Sequence, residues 1–201
     1  MSKLYYKFGS MGSSKTANAL MTKFNYEEKN HKVWLIKPAT DNRDDHEDSD
    51  GNYITVIKSR IGLEAPATAI NSTVDIIDLF KKINEENEYD VIICDECQFL
   101  TEKQVDELKE IAEIYDIPVL CFGLRSDFQT KLFPGSKRLF EIADSVAEIK
   151  SICKCGRKAI VNARFDSNGN VVTEGKQVEI GGNEKYEGMC WHCWKKLQKN
   201  V

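Results

Sequence analysis

The sequence has no long hydrophobic run and no excess of charge of one sign. None of its apolar stretches approaches the roughly 20 residues of a membrane-spanning helix, and its first residues lack the apolar core of a secretory signal. We therefore expect a cytoplasmic protein without membrane contacts. The 28 basic and 32 acidic side chains give a net charge of −4, which argues against binding to nucleic acid.

Proline and glycine are also few, with 4 and 12 residues among 201, so a collagenous or largely disordered chain is excluded. The 41% of hydrophobic and 30% of charged residues are typical of a soluble globular protein. The length suits one ordinary domain with an appendage.

Four of the seven cysteines form two close pairs, Cys153-Lys-Cys155 and Cys190-Trp-His-Cys193. Without a secretory signal these pairs favour a metal site over disulfides, and four thiolates match a closed structural zinc site. We expect Cys153 and Cys155 to lie in an extended stretch with their side chains on one side, and His192 to point outward. The other three cysteines are interpreted as buried core residues: Cys94, Cys97 and Cys121.

Strand and helix patterns alternate along the first 150 residues. Strands are predicted over residues 3–8, 33–38, 53–57, 67–70, 89–94 and 118–123. Helices are predicted over about 17–30, from about 72, and from a capping box at Thr101–Gln104. The apolar face of the first helix is predicted to contain Ala17, Leu20, Met21 and Phe24. The alternation predicts an α/β fold with a mostly parallel sheet flanked by helices.

Residues 9–16, GSMGSSKT, are small and lie between a predicted strand and a predicted helix. This context favours a phosphate-binding loop, in which backbone N–H groups and a helix N-terminus face phosphate oxygens. Lys15 would reach the β- and γ-phosphates, and Thr16 would ligate Mg²⁺. Ser14 replaces the second glycine of the usual pattern, so an ordinary strand-to-helix loop stays an alternative. The predicted ATP site comprises Gly9, Ser10, Met11, Gly12, Ser13, Ser14, Lys15 and Thr16.

Asp95 and Glu96 follow the apolar run Val91–Cys94. Ligands of open α/β sheets bind at the carboxyl ends of strands, where Asp95 would hold the magnesium shell and Glu96 would accept a proton. The attacking group is either water, as in an ATPase, or a substrate hydroxyl, as in a kinase.

Between Asp41 and Gly51 the chain is crowded with acidic residues and has no apolar one. Mutual repulsion predicts an extended, mobile, solvated loop, and the segment lacks the glycine and closing glutamate of a calcium loop. After residue 150 the apolar periodicity weakens. We predict a P-loop domain over 1–150 and a small domain over 151–201 that is too short for a stable core without its metal.

Four segments occur in the order typical of type II thymidine kinases: GSMGSSKT, Asp95-Glu-Cys-Gln-Phe99, Gly123-Leu-Arg-Ser-Asp-Phe128 and Ile180-Gly-Gly-Asn-Glu-Lys-Tyr186. The sequence resembles this tetrameric, zinc-containing family over nearly its whole length. The resemblance implies a RecA-like P-loop fold with a zinc-stapled lasso domain. It also implies ATP-dependent phosphorylation of the 5′-hydroxyl of thymidine, and of deoxyuridine, in nucleotide salvage, with dTTP as a feedback inhibitor of a homotetramer.

The resemblance also implies roles for individual residues. Glu96 corresponds to the general base, Asp95 and Gln98 lie toward the cofactor, and Arg43 of Asp41-Asn-Arg43 approaches the transferring phosphate. The expected thymidine-binding residues, besides Arg43, are Met11, Phe99, Leu124, Phe128 and Tyr186. Zinc is expected to fix both stems of the loop that carries Tyr186, whereas the phosphate loop is expected to lie far from it.

Two other functions stay open from the residues. One is a zinc-containing P-loop ATPase that acts as a nucleic-acid motor or accessory module; the net charge, the absence of a basic stripe with aromatic residues, and the length argue against it. The other is a zinc-ribbon interaction module on a decayed P-loop, which depends on Ser14 and predicts no nucleotide turnover.

Overall fold

The computed structural model describes residues 2–179 and 185–198, so 180–184 of the expected lasso motif lie outside the described part. The helices and strands of the described residues are β1 (Leu4–Gly9), α1 (Lys15–Glu27), β2 (Val33–Pro38), β3 (His46–Glu47), β4 (Tyr53–Ile54), β5 (Val56–Lys58), β6 (Glu64–Pro66), β7 (Thr68–Ile70), α2 (Ile76–Asn87), β8 (Val91–Cys94), α3 (Glu102–Ile114), β9 (Val119–Leu124), α4 (Pro134–Ile142), β10 (Ser145–Glu148), β11 (Ser151–Ile152), β12 (Lys158–Ala159), β13 (Val161–Arg164), β14 (Tyr186–Met189) and α5 (Trp191–Gln198). A 3₁₀ helix, Cys97–Phe99, joins β8 to α3.

The central sheet has six strands in the order β10-β1-β9-β8-β2-β7, and every neighbouring pair is parallel. All residues of β8 and β9 are buried, as expected for strands covered by helices on both faces. The predicted α/β class is therefore confirmed. The alternation did not indicate β10, an edge strand of the sheet in which two of the four residues are exposed and two are partly buried. The strand predicted over 53–57 is divided between two hairpins outside this sheet, β3–β4 and β5–β6.

Parallel pairing brings the ends of four strands to one edge of the sheet. The phosphate loop follows β1, Asp41 and Arg43 follow β2, Asp95 and Glu96 follow β8, and Ser126 follows β9. Segments that are far apart in sequence thus meet where ligands bind in open α/β sheets.

The buried face of α1 differs from the predicted one. Ala17 and Leu20 are buried as expected, but Met21 and Phe24 have exposed fractions of 51% and 62%. Ala19 is buried instead, and it packs with Leu20 in the core between the sheet and this helix. Because adjacent stripes of a helix share residues, the apolar spacing alone did not distinguish the inner stripe from the outer one.

The starts of α2 and α3 are both fixed by side-chain caps. In α2 the carboxylate of Asp75 accepts a hydrogen bond from the Asp78 amide, so the helix begins later than the predicted residue 72. The capping box of α3 is confirmed, because the Thr101 hydroxyl accepts from the Gln104 amide and the Gln104 side chain accepts from the Thr101 amide, both at 3.1 Å.

The prediction of a wholly solvated acidic loop after Asp41 is wrong for two of its carboxylates. Asp45 accepts a hydrogen bond from Lys37 at 2.7 Å, and their side chains are only 3% and 2% exposed. Asp41 is also buried and pairs with Arg43 through both carboxylate oxygens. Pairing with cations removes the repulsion on which the prediction depended, and it anchors the segment against β2.

The C-terminal segment consists of the hairpins β11–β12 and β13–β14 and helix α5, and it has a small core of its own. Cys153 and Cys155 do not lie in an extended stretch as predicted. They lie in the tight turn between β11 and β12, which the Gly156 amide closes by donating to the Cys153 carbonyl. His192 is exposed on α5, as predicted. Among the described residues no helix has the length and apolar character needed to cross a membrane.

Candidate active site

Close packing shapes the phosphate loop, residues 9–16. A Cβ on Gly9 would lie 2.2 Å from the Ser13 hydroxyl and 2.6 Å from the Ile149 carbonyl, so only glycine fits there. Gly12 has a φ of 74°, and Ser14 adopts the left-handed conformation with φ 60° and ψ 31°. This conformation is open to residues other than glycine but costs roughly 1–2 kcal/mol for them. Ser14 therefore leaves the loop formed, with some backbone strain.

We expect Ser14→Gly to keep ATP affinity and to leave the free energy of unfolding equal or higher by up to about 1 kcal/mol. The relieved strain exceeds or balances the roughly 0.4–1 kcal/mol that glycine costs through the unfolded state. Urea unfolding and ATP titration calorimetry measure both quantities. Ser14→Ala, which retains the Cβ, serves as the control and should show no gain. Loss of ATP binding in the glycine variant would contradict this account.

Lys15 is buried against the phosphate loop. Its Nζ donates to the Ser10 carbonyl at 2.9 Å and lies 3.4 Å from the Ser13 hydroxyl. Burial lowers the pKa of the Lys15 ammonium, although the nearby carboxylates of Glu96 and Asp95 act in the opposite direction. No carboxylate of the described residues forms an ion pair with it, so its charge is available to an anionic ligand.

Asp95 presents an unpartnered oxygen at the phosphate loop. The residue is 3% exposed, and its Oδ1 has no hydrogen-bond partner among the described residues; the same is true of the Ser10 hydroxyl. Burial, followed by the charge of Glu96, raises the pKa of the Asp95 carboxyl to about 7, while Thr16 and Lys15 oppose that shift. Asp95 thus offers a buried, unsatisfied carboxylate oxygen, and the Thr16 hydroxyl lies beside the same carboxylate. Oxygen donors of this kind are those that Mg²⁺ prefers.

The raised pKa of Asp95 predicts a pH-dependent stability of the metal-free protein. An unfolded aspartate loses its proton near pH 4, whereas folded Asp95 retains it up to about pH 7. The native state therefore binds the extra proton, and stability falls as the pH rises through this window. We expect Asp95→Asn to be a few kcal/mol more stable than the wild type at pH 8 and nearly equal at pH 4. Urea unfolding without Mg²⁺ or nucleotide at both values measures this, and equal stability at pH 8 would contradict it.

Glu96 is held by two donors. Its backbone has a φ of 51° at the end of β8, its Oε1 accepts from Arg43 at 2.9 Å, and its Oε2 accepts from the Gln98 side chain. Gln98, which was expected to lie toward the cofactor, is buried and also accepts from the Leu124 amide at 2.9 Å. Arg43 donates two hydrogen bonds to the Asp41 carboxylate. Hydrogen bonding to Asp41 raises the pKa of the Arg43 guanidinium more than the charge of Glu96 does. The carboxylate of Glu96 is thus fixed in direction.

Beside Glu96 lies an open cleft, called the central cleft here. All six expected thymidine-binding residues line it together with Glu96: Met11, Arg43, Phe99, Leu124, Phe128 and Tyr186. Among the lining residues that sequence reasoning missed are Ser126, Asp127, Phe133, Asn162 and Gln177. Ser126 and Asp127 belong to the motif Gly123–Phe128, so the sequence contained a signal that could have identified them. The other three belong to no recognisable pattern.

The aromatic side chains of the central cleft are held by contacts with neighbouring side chains and backbone. Phe99 packs edge-to-face on Phe133 with ring centroids 5.7 Å apart. The guanidinium of Arg164 lies 3.7 Å from the centroid of the Phe128 ring. The Tyr186 hydroxyl donates to the Glu179 carbonyl at 2.9 Å. These contacts restrict the rings, so a flat ligand meets surfaces that are already oriented.

The phosphate loop is not remote from the C-terminal segment, and the expectation that it would be is wrong. Asn162 on β13 accepts from the Met11 amide at 2.7 Å and donates to the Ser126 carbonyl at 2.6 Å. A Cβ on Gly188 of β14 would lie 2.4 Å from the Met11 carbonyl. The segment that contains the four cysteines therefore packs directly on the phosphate loop and on the wall of the central cleft.

The four predicted metal ligands form one cluster, with every sulfur within 4.8 Å of the others. Cys153 and Cys190 are buried, and Cys155 is exposed. The backbone amide of Cys193 donates to the Cys190 sulfur and is the main cause that lowers the pKa of that thiol to about 7. Four sulfurs at these separations form a donor set that could hold a metal ion.

A model of the thymidine kinase family matches residues 2–194. Similar proteins include the thymidine kinase of Zymomonas mobilis, 45% identical over 190 residues that cover 94% of each chain. The thymidine kinase of Vibrio cholerae is 40% identical over 97% of each chain. That of Legionella pneumophila strain Philadelphia 1 is 42% identical over an alignment that covers 100% of this chain and 93% of the relative.

Proposed function

This chain belongs to the thymidine kinase family, and we propose that it transfers the γ-phosphate of ATP to the 5′-hydroxyl of thymidine with Glu96 as general base. The observation that carries the proposal is the position of Glu96, whose carboxylate lines the central cleft together with Met11 of the phosphate loop. A base at this position lies between a nucleoside in the cleft and the phosphates on the loop. The rival function of a nucleic-acid motor has no support from the family.

The chemistry follows from the arrangement of donors and acceptors. Glu96 accepts the proton of the 5′-hydroxyl as the oxygen attacks phosphorus, and Lys15 with the loop amides holds the phosphates in line. Arg43 keeps Glu96 oriented while its guanidinium faces the same cleft. Asp95 and Thr16 would hold a magnesium ion, which neutralises phosphate charge when bound.

Gln98 acts as a positioning residue in this proposal rather than as a cofactor ligand. Its amide nitrogen fixes the second oxygen of Glu96, and its amide oxygen is fixed by the Leu124 backbone. The base is therefore tied to the strand end that forms the pocket for the thymine ring. A cleft with apolar walls and few polar groups suits a flat, weakly polar base.

We further propose that the ion held by the four cysteines is zinc in a structural role. The set has four thiolates and no open position, which is typical of structural rather than catalytic zinc. Residues 151–201 would form the zinc-binding lasso domain and 1–150 the P-loop domain. The separate small core around Cys153, Val161 and Trp194 supports this division.

A homotetramer is proposed from the resemblance to the type II family, and the exposed apolar residues of α1 are consistent with contact between copies. Met21 and Phe24 are one turn apart and largely exposed, and a second copy would bury them. Sedimentation velocity measures the assembly, and a monomer at micromolar concentration would exclude it. Feedback inhibition by dTTP, activity toward deoxyuridine and a cytoplasmic location belong to the same proposal.

The test of the proposed function is a substrate panel. The protein is incubated with ATP, Mg²⁺ and each of thymidine, deoxyuridine, deoxycytidine, deoxyadenosine and deoxyguanosine, and the monophosphates are separated. We expect thymidine monophosphate as the main product. Hydrolysis of ATP at the same rate with and without thymidine would instead identify a P-loop ATPase.

A further inference from the structure

Arg60 lies at the tip of the hairpin β5–β6, and the base of this hairpin is firmly held. Val56 and Ile57 are buried, and Ile57 packs in the same core cluster as Leu20 of α1. The buried Lys37 donates to the Val56 carbonyl at 2.8 Å. The tip itself is closed by hydrogen bonds between residues 59 and 63. The position of the Arg60 backbone is thus set by the core rather than left to a loose loop.

The guanidinium of Arg60 lies close to the phosphate loop at Gly12. A Cβ built on Gly12 would lie 3.7 Å from its Nη1. The charge of Arg60 acts on Lys15, where it adds to the lowering of that pKa, and the charges of Arg43 and Glu96 act on Arg60. These effects place Arg60 in the same charged cluster as the proposed base and the loop lysine.

Arg60 differs from Arg43 in having no partner of its own. Arg43 is neutralised by Asp41 and Glu96. In the described residues, Arg60 forms neither a side-chain hydrogen bond nor an ion pair, although it is an exposed side chain on which the charge of Glu96 acts. Lys15 likewise lacks a carboxylate partner. Two uncompensated cations therefore flank residues 10–13, a charge pattern that suits an anion with several negative charges.

We propose that Arg60 donates hydrogen bonds to the phosphoryl group during its transfer and stabilises the charge that develops on it. The inference rests on the proposed function, because it assigns a further catalytic residue to the same reaction. The oxygen of the 5′-hydroxyl forms a bond to the γ-phosphorus, its proton passes to Glu96, and the bond to the β,γ-bridging oxygen breaks with its electron pair left on ADP. Arg60 neither gains nor loses a proton in this step.

A guanidinium suits this role for a physical reason. Charge spreads over the three outer oxygens of the transferring group, and an arginine supplied to them accelerates phosphoryl transfer in other enzymes. Its planar fork pairs with two oxygens at once, which an ammonium cannot do. Arg60 should consequently act on turnover more than on the binding of ATP.

The test compares Arg60→Ala and Arg60→Lys with the wild type and with Lys58→Ala. Lys58 is a matched control, since it is an exposed cation of the same hairpin that already pairs with Glu64 at 2.9 Å. Each protein is assayed for kcat with thymidine and ATP. Calorimetry then measures the affinity for ADP and Mg²⁺ with thymidine, without and with aluminium fluoride, which mimics the transferring phosphoryl group. Melting temperatures verify that the variants are folded.

We expect Arg60→Ala to lower kcat about 10²–10³-fold, as removal of one preorganised donor does, and to lose most of the affinity gained from aluminium fluoride. The affinity for ADP should change little, Arg60→Lys should recover only part of kcat, and Lys58→Ala should match the wild type. Unchanged kcat in Arg60→Ala, or an equal loss of affinity with and without aluminium fluoride, would overturn the assignment. A wild type inactive on thymidine would instead refute the proposed function itself.

Discussion

Replacing Glu96 with glutamine is expected to lower kcat for thymidine about 10²–10⁴-fold, the usual contribution of a general base. Glutamine keeps the shape of the side chain but cannot accept the proton of the 5′-hydroxyl. The affinity for ATP should persist, because the phosphate loop makes its contacts without Glu96. Steady-state kinetics and ATP calorimetry measure the two effects separately.

The partners of Glu96 sharpen this test. Arg43 and Gln98 both donate to the Glu96 carboxylate. In Glu96→Gln, the new amide nitrogen would face one of these donors and break that hydrogen bond. Glu96→Asp keeps two accepting oxygens on a shorter side chain and should retain more activity than Glu96→Gln. Glu110→Gln, on the exposed surface of α3, is the control for the loss of one charge. Near-normal turnover of Glu96→Gln would show that another group is the base.

Loss of a metal ligand through Cys190→Ser is expected to weaken the binding of both substrates. The segment held by the cysteines supplies Asn162 and Gly188, which contact Met11 of the phosphate loop, and it borders the central cleft. Removing one buried hydrogen bond typically costs about 1–3 kcal/mol. We therefore expect the metal content to fall and the affinities for thymidine and ATP each to fall about tenfold or more.

Two controls separate this coupling from unfolding. Hydrogen exchange should show that the amides of β8 and β9 stay protected in Cys190→Ser. Asn162→Ala should weaken both substrates while the metal content stays at the wild-type value, because it breaks the contact and keeps the cysteines. A variant that loses thymidine affinity but binds ATP normally would contradict the contact between the segments. Absence of metal in the wild type would remove the premise.

The sequence predicted what local patterns encode. A small-residue loop between a strand and a helix, and acids after an apolar run, predicted residues 9–16, Asp95 and Glu96 as site residues without any structure. The resemblance to a family pointed to six of the residues that line the central cleft and missed others, such as Phe133 and Asn162. These features depend on neighbours in sequence or on whole motifs, so a single chain contains the signal.

Other features could not be predicted, because they arise from contacts between distant segments. Asn162 bonds to Met11 across 151 positions, and no periodicity marks either residue for that contact. In the sequence, Asp45 is indistinguishable from the other acidic residues of its segment, and only the folded structure shows it buried against Lys37. On α1, the exposed residues Met21 and Phe24 are as apolar as buried Leu20, and only packing against β5 and the sheet selected the buried face.

The most direct measurement for the central claim is a crystal structure with thymidine, Mg²⁺ and a non-hydrolysable ATP analogue. The account predicts thymidine in the central cleft, phosphates on residues 9–16, and the 5′-oxygen within about 2.6–3.2 Å of a Glu96 oxygen, the reach of a general base. Asp41 is the other carboxylate next to Arg43 in the cleft. A 5′-oxygen hydrogen-bonded to Asp41 instead of Glu96, or a nucleoside bound outside the cleft, would contradict the account.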